Sequence, residues 1–312
     1  MRRKFSILCG NPPYQDDQNI KTGKRGGGTT LWDKFVDKSI DLVEDNGFLC
    51  LVHPCGWRNS EGEYAELGQR MRDLQFHYLE MHDSNDGLST FGAGTSYDWY
   101  ILQNCPASQS TKIKCQDGEE VRANLNKMPF IPSGMFNEIQ KLLAKNGEER
   151  VQILSSYCDY ESRKPWMSHK KNREDRVQIT YSRSAYGSDK VHVQHEKDAA
   201  HPYPVVHNVR TNGDLVLIYS SHKNNGHFGV PKVIFGRRQC GTKVDKEGLF
   251  GLSQDCRGVL GQPEQLDKIN EAMNNPRFIE ICKFLSLNST AKDKYDHRIL
   301  SLFRKDFWKE FI

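Results

Sequence analysis

What this 312-residue chain lacks narrows its class first. No apolar stretch approaches the length of a membrane span, and Met1-Arg2-Arg3-Lys4 leads into no apolar signal core. The nine cysteines are odd in number, scattered, and contain no C-x-x-C pair. That pattern argues against a disulfide framework or a zinc site and points to reduced thiols in a cytoplasm. His192-x-x-His195 has no cysteine or carboxylate cluster at ligand spacing and reads as a polar surface pair, so no metal is expected. There is no Walker phosphate loop, no Pro-Asp followed by a Glu-x-Lys trio, and no internal repeat. The second of these absences argues against a fused nuclease.

What is present suits a soluble globular protein with room for about two domains. Hydrophobic residues make up 37% and charged residues 27%, with a formal net charge of +4. The positive excess lies in the second part of the chain, because the first 130 residues lean acidic.

The first hundred residues alternate strands and helices. Phe5–Cys9 reads as a buried strand, stopped by Asn11-Pro12-Pro13-Tyr14. Residues 15–30, with Gly26-Gly27-Gly28, read as a loop. A helix is expected over 31–43, with Leu31, Phe35, Ile40 and Val43 on its apolar face and Asn46-Gly47 as its stop. A second strand covers Phe48–His53, a helix Tyr64–Leu74, and a third strand Phe76–Met81. Phe91-Gly92-Ala93-Gly94 reads as a turn before a fourth strand ending near Leu102. This order gives an α/β layer structure.

Gly10-Asn11-Pro12-Pro13-Tyr14-Gln15, then Leu31-Trp32-(x)2-Phe35, then Gly47-Phe48-Leu49-(x)2-Val52-(x)-Pro54 resembles the second half of the catalytic domain of N6-adenine DNA methyltransferases from restriction-modification systems. The resemblance covers about the first 105 residues. It implies a partial Rossmann-like methyltransferase sheet, with Asn11, Pro12, Pro13 and Tyr14 as the catalytic loop. The chemistry suits those residue types. An exocyclic amine conjugated to a purine is a poor nucleophile, so the enzyme must accept its hydrogen bonds and stabilise the charge that develops. The Asn11 side-chain carbonyl and the Pro12 carbonyl are neutral acceptors, and the prolines stiffen the loop. Tyr14 offers a face on which an extruded base can stack. The resemblance also implies a second base-stacking aromatic, at Phe91. The competing reading of Phe91 is a loop aromatic packed on the sheet.

The same resemblance implies S-adenosylmethionine as methyl donor, held by a glycine loop and an acidic residue upstream of the catalytic loop. Ten residues precede Asn11 here. Gly26–Gly28, Phe91–Gly94, Phe235-Gly236 and Phe250-Gly251 are poor substitutes. In the resembled family, the strand before the catalytic loop pairs with the first cofactor-binding strand. Without that neighbour, Phe5–Cys9 is an apolar edge strand, which proteins seldom leave bare. The expectation is a complementary methyltransferase subunit carrying the cofactor half, or a homodimer, covering this edge.

A boundary is expected near residues 105–135. Residues 1–130 then form the second half of the methyltransferase domain, and 131–312 a mixed α+β domain resembling a target-recognition domain. Within 131–312, Tyr203–His207 with Leu215–Tyr219, Pro231–Arg238 with Gly248–Gln254, and the closing stretch Phe278–Phe311 carry that looser resemblance. Helices are expected over 133–145 and 263–285, with β-rich sequence between. Basic residues cluster at Arg163-Lys164, Lys170-Lys171-(x)-Arg173 and Arg237-Arg238, near Tyr160, Trp166, Tyr181 and Tyr186. These residues suit phosphate attraction on double-stranded DNA, and solvated loops would look the same. Three functions stay open: an adenine-N6 DNA methyltransferase or one subunit of a split enzyme; a catalytically incomplete DNA- or partner-binding relative with a regulatory or inhibitory role; and a methyltransferase for another planar amine.

Overall fold

The computed structural model describes residues 4–15, 30–59, 63–155, 193–221, 223, 227–236, 240–253, 255–285 and 294–312. It divides into two compact units, one within Met1–Gln140 and one within Lys141–Ser286 and Asp293–Ile312. The architecture is mixed α/β, with a mixed sheet in the first unit.

The first unit holds strands β1 (Phe5–Gly10), β2 (Val43–Pro54), β3 (Leu74–His82), β4 (Tyr97–Pro106), β5 (Thr111–Lys114) and β6 (Glu120–Ala123). They form one sheet in the order β1-β2-β4-β3-β5-β6. β1 and β2 are parallel, as are β3 and β5, while β4 runs antiparallel between β2 and β3. Helices α1 (Trp32–Leu42), α2 (Ala65–Arg72) and α3 (Ser84–Phe91) join the strands. The core draws on Trp32, Val36, Leu51, Trp57, Met71, Phe76, Leu79 and Tyr100. The β5–β6 hairpin belongs to this sheet, and the next helix, α4 (Phe136–Leu142), follows it.

The second unit holds β7 (Ile153–Ser155), β8 (Val193–Gln194), β9 (Tyr203–Val209), β10 (Leu215–Ser220), β11 (Lys232–Gly236), β12 (Thr242–Asp245), β13 (Gly251–Leu252) and β14 (Cys256–Leu260). Two four-stranded sheets result, ordered β13-β9-β10-β8 and β12-β11-β14-β7. Helices α5 (Leu266–Asn274), α6 (Pro276–Lys283) and α7 (His297–Leu300) close the chain with a single 3-10 turn, Phe307–Glu310. Phe278 packs against Tyr295, Phe303, Phe307 and Phe311.

Several local expectations change. β1 is a strand as expected but is not buried: Phe5 is 51% and Ile7 65% exposed. Its only strand neighbour among the described residues is β2. In α1 the buried side is Trp32, Val36, Ser39 and Ile40, and Phe35 faces solvent. The helix also ends before Asn46-Gly47, which lies inside β2. There Asn46 takes a left-handed backbone (φ 65), and a Cβ on Gly47 would meet the Ser6 carbonyl at 2.9 Å. Phe91 closes a helix rather than sitting in a turn. Asp83 caps that helix by accepting from the Asn85 and Asp86 amides, and left-handed Gly92 ends it. β11 and β13, the strand within the second of those paired stretches, belong to different sheets. Among the described residues of Phe278–Phe311, the helical pieces are α6, α7 and the 3-10 turn.

Candidate active site

In open α/β sheets, ligands gather outside the carboxyl ends of the parallel strands. Three segments meet that description here: the loop after β1, the turn after β2, and α3 after β3. β4 begins at the same end, with Tyr97 opposite Pro54 and Asp98 opposite His53.

The loop after β1 is Asn11-Pro12-Pro13-Tyr14. Asn11 and Pro13 are exposed, while Pro12 and Tyr14 are half-buried. The prolines withhold two amide donors and fix two φ angles, so the chain cannot continue β1. The Tyr14 carbonyl accepts from the Leu31 amide at 3.1 Å, and Gln15 bridges to Thr30. The loop is therefore tied to the start of α1. The Tyr14 ring packs against the core, and its hydroxyl is buried without a partner. Burial, and then the charge on Asp98, push the Tyr14 phenol up to about 12. Tyr14 stays neutral at ordinary pH, so its ring, not a phenolate, is what the site can use.

Beneath the loop, the β2 end and the following turn supply buried polar and aromatic groups. Trp32 stacks on His53, with ring centroids 4.8 Å apart and planes 11° from parallel. Burial holds the His53 imidazole down at about 4. The neutral ring is placed by its partners: Nδ1 donates to the Pro54 carbonyl, and Nε2 accepts from the Tyr100 hydroxyl, each at 3.0 Å. Trp57 Nε1 donates to Asp98 Oδ2 at 2.9 Å, and Arg58 Nε lies 3.1 Å from the same oxygen. Burial raises Asp98, with Arg58 opposing it. Asp98 Oδ1 remains buried and unpartnered.

On the β3 side, His82 stacks on Tyr97 at 4.5 Å and 2°. The Tyr97 hydroxyl donates to Asp86 at 2.6 Å, and His82 Nδ1 lies 3.1 Å from the same carboxylate. Phe91 meets Tyr97 edge-on at 4.9 Å and is 43% exposed. Phe91 thus packs on a sheet aromatic and keeps an open face. Asn11–Tyr14 and Phe91 lie at the same end of the sheet, and β4, which carries Tyr97, is two positions from β1. The buried set His53, Trp57, Arg58 and Asp98 and the His82–Tyr97–Asp86 set carry no motif that the sequence alone exposes. The one available signal was polar residues flanking apolar strand ends.

Arg163, Lys164, Lys170, Lys171, Arg173, Arg237 and Arg238 lie outside the described residues, as do Tyr160, Trp166, Tyr181, Tyr186, His192 and Gly26–Gly28. Two glycines near this end of the sheet are already engaged. Gly92 is occupied as a helix cap, and Gly87 is pressed against the Thr95 carbonyl. Cys115, Asp117 and Glu119 bring ligand-type atoms together at the β5–β6 turn. The two carboxylates already serve the start of α4: Asp117 accepts from the Met135 amide, and Glu119 from the Phe136 amide. No helix among the described residues is long and apolar enough to cross a membrane.

Among solved structures, the chain is similar to the type IIL restriction-modification enzyme MmeI, solved in complex with DNA, at 8% identity over 96% of this chain and 45% of that one, TM-score 0.45. It is similar to the EcoKI M protein of a type I restriction enzyme at 15% identity over 36% and 25%, TM-score 0.28. A type I methyltransferase subunit from Streptococcus thermophilus is similar at 14% identity over 40% and 31%, TM-score 0.26. The chain spans less than half the length of each. No curated protein matches the sequence. The family model that matches covers the segment holding the loop after β1, the turn after β2, and β3: residues 1–84 match the model of the Eco57I restriction-modification methylase family.

Proposed function

We propose that this chain is the catalytic and recognition part of a site-specific DNA adenine-N6 methyltransferase. The observation that carries the reading is the loop after β1. A parallel strand ends in a rigid Asn-Pro-Pro-Tyr loop that leaves Asn11 exposed and Tyr14 anchored. In this reading the Asn11 side-chain carbonyl and the Pro12 carbonyl accept hydrogen bonds from the exocyclic amine of an adenine taken out of the duplex. The accepted hydrogens orient the nitrogen lone pair and offset its developing positive charge. Tyr14 and Phe91 flank the base. The seven basic residues from Arg163 to Arg238 named above hold phosphates of double-stranded DNA.

S-adenosylmethionine is the methyl donor of this reading. It is bound mainly by a complementary subunit, or a second copy of this chain, that pairs with the outer edge of β1. Exposed Phe5 and Ile7 on a strand with one neighbour support that arrangement. The same exposed edge favours a second reading, in which the chain is a catalytically incomplete relative that binds DNA or a partner in a regulatory role.

Transfer of a labelled methyl group from S-adenosylmethionine to DNA separates the two. It is measured with and without the product of the neighbouring upstream gene. Label in adenine only with the complement supports the first reading. DNA binding with no label under either condition supports the second.

A further inference from the structure

β1 and β2 set two thiols side by side. Cys9 on β1 pairs with Cys50 on β2 in the parallel register. Neighbouring strands lie about 4.8 Å apart, and paired residues point to the same sheet face. That spacing falls within the Cα separation of about 4.4–6.8 Å that a disulfide spans. Both cysteines are free, Cys9 exposed and Cys50 half-buried. The thiols are near enough that Cys9 adds to burial in raising the Cys50 thiol above its usual range. β1 has a strand neighbour on one side alone among the described residues, so it can move toward β2 without breaking a second ladder. Cys240 and Cys256 also act on one another, but both are buried and closed to reagents.

We propose that Cys9 and Cys50 form a dithiol modification site that takes low-molecular-weight disulfides and closes into an intrachain disulfide across β1 and β2. The Cys9 thiolate, the exposed member, attacks one sulfur of a glutathione-type disulfide. The S–S bond breaks, and one small thiol leaves with the electron pair and takes up a proton. Cys50 then loses its proton and attacks the Cys9 sulfur of the mixed disulfide, expelling the second small thiol. Two protein S–H groups become one S–S bond, and one small disulfide becomes two thiols. The new bond ties β1 to β2 just before Gly10 and Asn11, where the loop leaves the sheet. The chemistry of the pair does not depend on the activity proposed above.

The test treats the folded full chain with oxidised glutathione, blocks remaining thiols, and maps every cysteine by proteolysis and mass spectrometry. The expected result is a cross-linked Cys9–Cys50 peptide, loss of two free thiols per chain, and reversal by dithiothreitol. Cys50→Ser is expected to leave Cys9 as a stable mixed disulfide. Wild-type protein in which Cys50 stays a free thiol overturns the proposal, whether Cys9 is unmodified, persists as the mixed disulfide, or pairs elsewhere. That map needs no variant to fold.

Discussion

Arg58 and Asp98 meet with neither side chain exposed to solvent, Nε lying 3.1 Å from Oδ2. Trp57 Nε1 donates to the same carboxylate oxygen, and Arg58 reaches Met81 Sδ and Ser133 Oγ with its other nitrogens. Removing one member strands a buried charge, which costs about 3–5 kcal/mol. Asp98→Ala is expected to lower the unfolding free energy of the first unit by that amount in urea denaturation. A loss within the noise of the measurement would show that the pair does not hold the β2 turn to β4.

His53 gives this region a pH dependence with a definite sign. Its folded-state value is about 4, below the ordinary 6.5, because burial disfavours the imidazolium. Between those values the unfolded chain binds a proton that the folded chain refuses, so stability falls as pH drops from about 6.5 toward 4. The single-site effect reaches at most about 3 kcal/mol. His227 in the second unit, held down to about 3 by burial and by Lys232, acts in the same direction. Denaturation midpoints at neutral pH and near 4.5 are expected to differ less in His53→Gln than in wild type. Equal slopes would remove His53 from the account.

Tyr14 and Phe91 separate packing from base stacking. The Tyr14 hydroxyl is buried without a partner, so Tyr14→Phe is expected to be neutral, or stabilising by up to about 1 kcal/mol, in thermal unfolding. Phe91 is 43% exposed, so Phe91→Ala costs little stability. It is expected to weaken capture of an extruded base by about 1–3 kcal/mol, read with a fluorescent base at the target position. A Tyr14→Phe protein that melts well below wild type would mean the hydroxyl has a partner.

The open edge of β1 makes a prediction about assembly. Phe5 and Ile7 are two residues apart and share a sheet face. Phe5→Asp with Ile7→Lys places charges on an exposed apolar strand, so the isolated chain is expected to fold as before. Association with the complementary subunit, or self-association, is expected to weaken at least about tenfold, roughly 1.4 kcal/mol, by analytical ultracentrifugation. Unchanged association would show that this edge is not the contact.

Legibility in the sequence followed the range of the interactions. Phe5–Gly10 was visible because an apolar run stops at two prolines, a purely local signal. The reading of its side chains as buried failed, since burial depends on neighbours that periodicity does not name. Phe35 fitted the apolar spacing of α1, yet Val36 took the core position. α3 could have been read from its Asp83 cap and Gly92 stop, but the glycines around Phe91 drew the reading toward a turn. The Arg58–Asp98 pair joins residues 40 positions apart, and nothing in a single sequence couples them. Asn11–Tyr14 stood out because its chemistry is carried by four consecutive residues.

The most direct measurement is methyl transfer by Asn11→Ala in the assembled enzyme, beside its DNA affinity. Asn11 is exposed at the end of β1, so the variant is expected to fold and to bind DNA within about twofold of wild type. Loss of one acceptor at the developing charge is expected to lower transfer by at least about a hundredfold. Adenine methylation at the wild-type rate would contradict the assignment of the loop after β1 as the catalytic centre.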